Sequence, residues 1–301
     1  MSDPGDIASA LTGPHLPAHF YVHVPFCRLK CSYCDFYSVT DLAEDTIGAI
    51  LRGIEGQIAQ WGGAALPGVV ETLYVGGGTP TVVAGGLVRI IDALRANLPL
   101  RARAEITIEA NPDSLTAGMA QALAAAGVTR ISVGVQSFAD AELGMLGRVH
   151  TVEEARAACG HVTRADLELS LDLMCGIPGQ DVTSWTTSLD RAVRTGASHI
   201  SVYPLTLEPG TPLEVAVDSG LVAVPDADLA ADMMLLAEEF LGNEGMVRYE
   251  VSNYARPGRE SRHNTAYWTG AQAALAPPAG PSGRNPLRRL ILQPQPHPQR
   301  R

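Results

Sequence analysis

Lysine is almost missing from this chain: among its 22 basic residues only Lys30 is a lysine, and the rest are arginines. Together with abundant Ala and Gly, that bias is the mark of a GC-rich gene more than of a function. No apolar run approaches the ~20 residues needed to span a bilayer, so the chain reads as soluble. Nothing near the start resembles an export signal, and five cysteines without one make the cytoplasm the expected compartment. The formal charge of −10 supplies no basic surface, which argues against nucleic acid as a partner and allows at most peripheral membrane contact. The run Gly76-Gly77-Gly78 lacks both the Gly-x-Gly-x-x-Gly spacing of a dinucleotide site and the Lys-Ser/Thr of a phosphate loop. With 301 residues the chain can bury a large core, as one α/β barrel or as two ordinary domains.

What is present is concentrated in three cysteines. Cys27, Cys31 and Cys34 are spaced C-x3-C-x2-C directly after the strand-like run Phe20–Val24. Three thiolates so close can hold three irons of a [4Fe–4S] cluster and leave the fourth iron open. An open iron can chelate a small molecule, and S-adenosylmethionine binds in this way through its amine and carboxylate. Such a site implies radical chemistry carried by a cofactor. Zinc is the competing reading, but structural zinc sites usually have four protein ligands, and no second cysteine pair exists here. His23 is a candidate fourth ligand, although it lies within the strand run. A disulfide framework needs an oxidising compartment. Cys159 and Cys175 are isolated and read as small buried apolar residues.

Six short runs rich in β-branched residues alternate with helix-period stretches: Phe20–Val24, Glu71–Val75, Glu105–Glu109, Arg130–Val135, Glu168–Met174 and His199–Leu205. Between them, Ile47, Ile50, Ile54 and Ile58 recur at helical steps, as do Leu87, Ile90, Ile91 and Leu94, and later Leu229, Met233, Leu236 and Phe240. Repeated βα units imply a parallel sheet, either doubly wound or barrel-like. Both place ligands at the C-terminal ends of the strands. The distinctive residues fall there: the cysteine loop after the first strand, Gly76–Gly78 and Thr79 after the second, Glu109 closing the third, Gln136 the fourth and Asp172 the fifth.

Each polar group has a chemical reading. Three glycines let backbone approach a ligand closely, or simply make a tight turn. Glu109, set among Ile106, Ile108 and Ala110, needs a partner if buried, supplied by an arginine such as Arg130 or by a cationic or hydroxyl-bearing ligand. Gln136 and Asp172 suit ribose hydroxyls. Arg148 can grip a ligand carboxylate with two bonds, or can be an ordinary surface arginine.

Seven segments, in order, resemble the radical S-adenosylmethionine proteins of the coproporphyrinogen-oxidase-like family. They are Tyr21–Phe36 (YVHVPFCRLKCSYCDF), Tyr74–Pro80 (YVGGGTP), Ile108–Pro112 (IEANP), Ile131–Phe138 (ISVGVQSF), Leu146–His150 (LGRVH), Leu171–Met174 (LDLM) and Tyr249–Tyr254 (YEVSNY), and the likeness covers about residues 18–270. The resemblance implies an α/β fold, a partial (β/α)6 TIM-like barrel, with a [4Fe–4S] cluster on Cys27, Cys31 and Cys34. It implies contacts with S-adenosylmethionine from Tyr21, Tyr33, Gly77, Gly78, Thr79, Glu109, Gln136, Arg148 and Asp172, and a further one from Thr206. Family oxidases carry one more cysteine two residues after the triad, where this chain has Phe36. The haem-chaperone branch carries an H-N-x-x-Y-W element, present as His263-Asn264-Thr265-Ala266-Tyr267-Trp268. Imidazole is a common haem-iron ligand, and a Tyr-Trp pair offers flat apolar area to a porphyrin. Without the family, His263 reads as a surface histidine. The branch implies a haem chaperone that binds haem at His263 and passes it to acceptor proteins. The alternative is an oxygen-independent oxidase that decarboxylates coproporphyrinogen III, so whether the chain is an enzyme stays open here; a zinc-stabilised binding module is a third reading.

The expected organisation is a flexible tail over 1–16, a core barrel over 17–250, and the start of a C-terminal region over 251–270. Beyond Gly270 the resemblance stops. Residues 271–301 hold seven prolines and five arginines with no acidic residue, a composition expected to be disordered and of the kind a GC-rich gene yields out of frame. The C-terminal extension is therefore expected to be truncated.

Overall fold

The computed structural model describes residues 19–63, 69–269 and 273–276. Six parallel strands follow one another in the sheet in chain order: β1 (His19–Val24), β2 (Val70–Gly77), β3 (Leu100–Ala110), β4 (Arg130–Gln136), β5 (Glu168–Cys175) and β6 (His199–Pro204). The returns between them run through helices α1 (Glu44–Gly63), α2 (Ala84–Asn97), α3 (Ala117–Ala125), α4 (Asp140–Met145), α5 (Val152–Arg164) and α6 (Val182–Arg194). Past β6 come α7 (Pro212–Asp218), α8 (Ala227–Asn243), the short antiparallel strands β7 (Val247–Arg248) and β8 (Asn253–Ala255), and helix α9 (Arg262–Trp268). All six expected strands are present, and five lie within one or two residues of their predicted ends. β3 alone extends much further, because Arg101 and Arg103 continue its backbone toward solvent.

β6 bonds β8 on its outer edge and β1 bonds a ninth strand, so β1 and β6 do not pair and the barrel stays open. That ninth strand, β9 (Ala273–Ala276), lies in the tail expected to be without order. The correction has a simple cause. Parallel pairing needs only main-chain N–H and C=O groups, β1 has a free edge, and no proline precedes Pro277 in this short run. The remaining positions of both expected tails lie outside the described residues. Ser201 pairs with Asn253 and Ile200 with Tyr254, joining residues 253–255 to the barrel sheet.

Strand periodicity sorts the two faces. In β4, Ile131, Val133 and Val135 are fully buried and pack into one core with Leu87, Ile90, Ile91 and Leu94 of α2 and with Ile50, Ile54 and Ile58 of α1. The alternate positions carry polar side chains: Thr72 on β2, Glu105, Thr107 and Glu109 on β3, Arg130 and Ser132 on β4, Ser170 and Asp172 on β5, His199 and Ser201 on β6. The apolar face therefore secures the fold while the other lines the barrel with hydrogen-bonding groups. Trp185 of α6 shows how the outer layer is fixed, with its ring buried and its Nε1–H donating to Met233 O at 2.8 Å. At the barrel's lower end Arg130 lies 2.9 Å from Glu168 and 3.6 Å from Glu105, so it is not the partner of Glu109.

Candidate active site at the C-terminal mouth of the barrel

The cysteine loop is held by backbone bonds on both flanks. Cys27 N–H donates to Val39 O (3.0 Å), Ser32 N–H to Leu146 O (3.1 Å) and Cys34 N–H to Cys31 O (3.2 Å). All three thiols are free and part-buried. Burial pushes the thiols of Cys27 and Cys34 up, so without a cation they hold their protons; a bound metal reverses this logic. Among the described residues no three His, Cys, Asp or Glu side chains converge on a single metal-ion position. His23 is committed elsewhere, its Nε2 3.1 Å from Tyr37 O and its Nδ1 3.2 Å from the Tyr21 hydroxyl. Cys159 and Cys175 are buried, and burial pushes both up to about 12, as suits inert core residues.

A hydrogen-bonded chain joins the first two cysteines across three strand ends. Cys27 Sγ lies 3.8 Å from Thr79 Oγ1, Asn111 Nδ2 donates to that oxygen (3.0 Å), and Arg148 donates to Asn111 Oδ1 (2.8 Å), Gly134 O (2.6 Å) and Cys31 Sγ (3.5 Å). Arg148 is thus a part-buried bridge to the cysteine loop. Its guanidinium has five N–H donors, more than these bonds use. Asn111 and Gly134 were not among the expected site residues. Asn111 stood in the Glu-Ala-Asn-Pro segment closing β3, and its polarity at a strand's C-terminal end was the available signal. A side chain at Gly134 would press on the Gln136 amide and Asn111.

Glu109 faces the same mouth. Its Oε1 accepts from the Tyr74 hydroxyl (2.9 Å) and its Oε2 from Gly77 N–H (3.0 Å). Gly76 makes room, since a Cβ there would lie 2.6 Å from the carboxylate, and Gly77 has φ +118, where other residues are strained. Burial first, and then the charge of Asp172, push Glu109 up to about 7. Burial pushes Asp172 up to about 6 against the help of hydroxyls, including Ser132 Oγ at 3.2 Å. The two carboxylates stand on β3 and β5 with β4 between them, close enough for the charge of Asp172 to act on Glu109; Arg148 favours the charged form of Asp172, and neither carboxylate makes a salt bridge among the described residues. Gln136 ends β4 at φ 66, an uncommon conformation for a residue with a side chain. Tyr21 stacks on Tyr74 with ring centroids 6.0 Å apart. Tyr33 packs with Leu146, Met174, Ile177 and Leu205 beside Arg148. Gly78 and Thr79 lie against the cysteine loop through Gly78 N–H to Val24 O and Thr79 N–H to Phe26 O. Thr206 is exposed just past β6 and makes no side-chain bond to these groups among the described residues.

The structure separates His263 from this cluster. It enters the barrel from α9 as a part-buried residue, its ring 5.1 Å from Tyr74 and its Nδ1 2.8 Å from Thr72 Oγ1. Tyr74 therefore stands between it and Glu109. Burial pushes His263 down to about 4, so it is neutral at physiological pH. Tyr267 and Trp268 are exposed and meet edge-to-face at 5.9 Å.

Residues 21–192 match the Radical SAM superfamily. The "Heme chaperone HemW" of Mycobacterium tuberculosis is 37% identical over 273 residues, covering 89% of this chain and 70% of that protein. The one of Escherichia coli is 37% identical over 258 residues, covering 84% and 66%. Among solved structures, "Coproporphyrinogen III oxidase (HemN) from Escherichia coli is a Radical SAM enzyme" superposes with a TM-score of 0.77 at 25% identity, covering 88% of this chain and 61% of that one. The open parallel barrel and these matches define a radical SAM protein. Within that superfamily the chain belongs to the HemW family. It spans about two thirds of the length of these relatives.

Proposed function

We propose that this chain is a cytoplasmic haem chaperone that holds a [4Fe–4S] cluster and S-adenosylmethionine, binds haem as cargo and delivers it to acceptor proteins. The observation carrying the cofactor part is the donor set: three part-buried thiols on one bonded loop beside two part-buried carboxylates that make no salt bridge among the described residues. Cys27, Cys31 and Cys34 would hold the cluster. When bound, such a cluster supplies one-electron chemistry and an iron open to an amine and a carboxylate. Glu109 and Asp172 favour a positively charged ligand, because their mutual repulsion falls when a cation enters. Arg148 carries the complementary charge for a ligand carboxylate and ties the site to Cys31 and, through Asn111, to Thr79.

The chaperone reading is supported by the names of the relatives, by Phe36 in place of a fourth nearby cysteine, and by the His263 element. His263 keeps one ring nitrogen on Thr72 and is neutral, as an iron ligand must be. The structural likeness to the oxidase favours the second reading, decarboxylation of coproporphyrinogen. An anaerobic haemin titration of the cluster-reconstituted chain, followed at the Soret band, separates them. Saturable binding that is lost in His263→Ala, with no turnover of coproporphyrinogen, supports the chaperone. Turnover of coproporphyrinogen overturns it.

A further inference from the structure

Thr72 is fully buried on β2, and its single hydroxyl meets two imidazoles, His19 Nδ1 at 2.9 Å and His263 Nδ1 at 2.8 Å. A hydroxyl has one proton to donate, so the two nitrogens cannot both be bare acceptors and at least one ring must donate to Thr72. The surroundings of the two rings differ. Two carboxylates, Glu71 and Glu105, act on His19, with Arg262 opposing them. With its proton on Nε2, the nitrogen that Thr72 does not use, His19 presents Nδ1 as an acceptor. No carboxylate acts in this way on the His263 ring; Glu105 instead takes the main-chain N–H of His263 at 3.1 Å. The Thr72 proton then goes to His19, and the Thr72 oxygen accepts Nδ1–H from His263.

We infer that Thr72 and His19 are positioning residues that hold His263 in its Nδ1–H tautomer, with Nε2 bare and aimed by packing for a metal-bearing ligand. The inference deepens the haem reading and rests on it. An imidazole that ligates a metal keeps its other N–H on a fixed acceptor, which sets both tautomer and ring direction. Here the acceptor is a hydroxyl that is itself fixed by a second histidine. The ring plane is set as well, by Tyr74 at 5.1 Å and 32° on one side and His19 at 6.3 Å and 80° on another. Among the described residues Nε2 of His263 has no protein hydrogen-bond partner.

The test uses the full cluster-reconstituted chain labelled with 15N-histidine, read by two-bond 15N–1H correlation spectra before haemin is added. The wild type and Thr72→Ser should show His263 as the Nδ1–H tautomer. Thr72→Val and His19→Phe should lose that preference and bind haemin about tenfold or more weakly, the usual cost of removing a partner behind a metal-binding histidine. A His263 found with its proton on Nε2 in the wild type overturns the inference, as does a Thr72→Val variant with unchanged tautomer and affinity. Failure of the haem reading looks different: His263→Ala would then bind haemin as tightly as the wild type, and the inference falls with it.

Discussion

Acidifying the medium from about pH 8 to about pH 6 should weaken S-adenosylmethionine binding, and the carboxylates of Glu109 and Asp172 set the size of the effect. A cationic ligand requires both to be charged, so each proton that must leave lowers the apparent affinity. Glu109 stands at about 7 and Asp172 at about 6. At about pH 6 roughly one Glu109 in eleven and one Asp172 in two are ionised, a joint fraction near 1/22, whereas near pH 8 it is about nine-tenths. The expected loss is roughly twentyfold. Glu109→Gln should bind less tightly at about pH 8 and retain only the Asp172 component, about twofold over the same span. Anaerobic equilibrium dialysis of the reconstituted chain measures both. An affinity in the wild type that is flat, or that rises on acidification, would refute the assignment of these carboxylates to the cationic part of the ligand. The sign for stability runs the other way. Both carboxyls sit above their unfolded values, so the ligand-free fold binds protons that the unfolded chain has released. It should lose stability as the pH rises from about 4 to about 7, seen as a falling Tm.

Replacing Cys27, Cys31 or Cys34 singly by Ser should abolish the [4Fe–4S] absorption and Mössbauer signature, since each supplies one of three protein ligands; a full cluster in any one of them refutes its assignment. Arg148→Ala should let the cluster assemble but weaken S-adenosylmethionine binding by about tenfold or more, the scale of a lost charged hydrogen bond, and unchanged dialysis data would move the ligand elsewhere. Trp185→Ala should cost about 3–5 kcal/mol in denaturant unfolding by leaving a cavity and removing the indole bond to Met233 O, and a loss below about 1 kcal/mol would mean that α6 packs otherwise.

The strands and their order were legible because alternation is a local signal: Ile131, Val133 and Val135 announce one face of β4 without knowledge of any other strand. The cysteine triad and Glu109 were legible for a related reason, being polar groups at the ends of apolar runs. Asn111 was not, because its role exists only where Thr79 and Arg148, from two other strand ends, meet it. The Arg130 option for Glu109 failed on register. Arg130 pairs with Thr107 at the start of β4, whereas Glu109 lies opposite Ser132 two residues further along. The inward course of His263 depends on α9 crossing below β2 and β3, a placement that periodicity does not encode. β9 was invisible for another reason, since Ala273–Ala276 is too short a run to show a period.

That last strand has a consequence for how the molecule meets copies of itself. The outer edge of β1 is a row of amide donors and carbonyl acceptors, the kind of template onto which a stray chain can zip. Ala273–Ala276 occupies it from His19 to Val22. A proline at a position whose N–H bonds β1 would break this pairing and return the edge to β1, whereas one whose nitrogen faces outward, on what is now the edge strand, is tolerated.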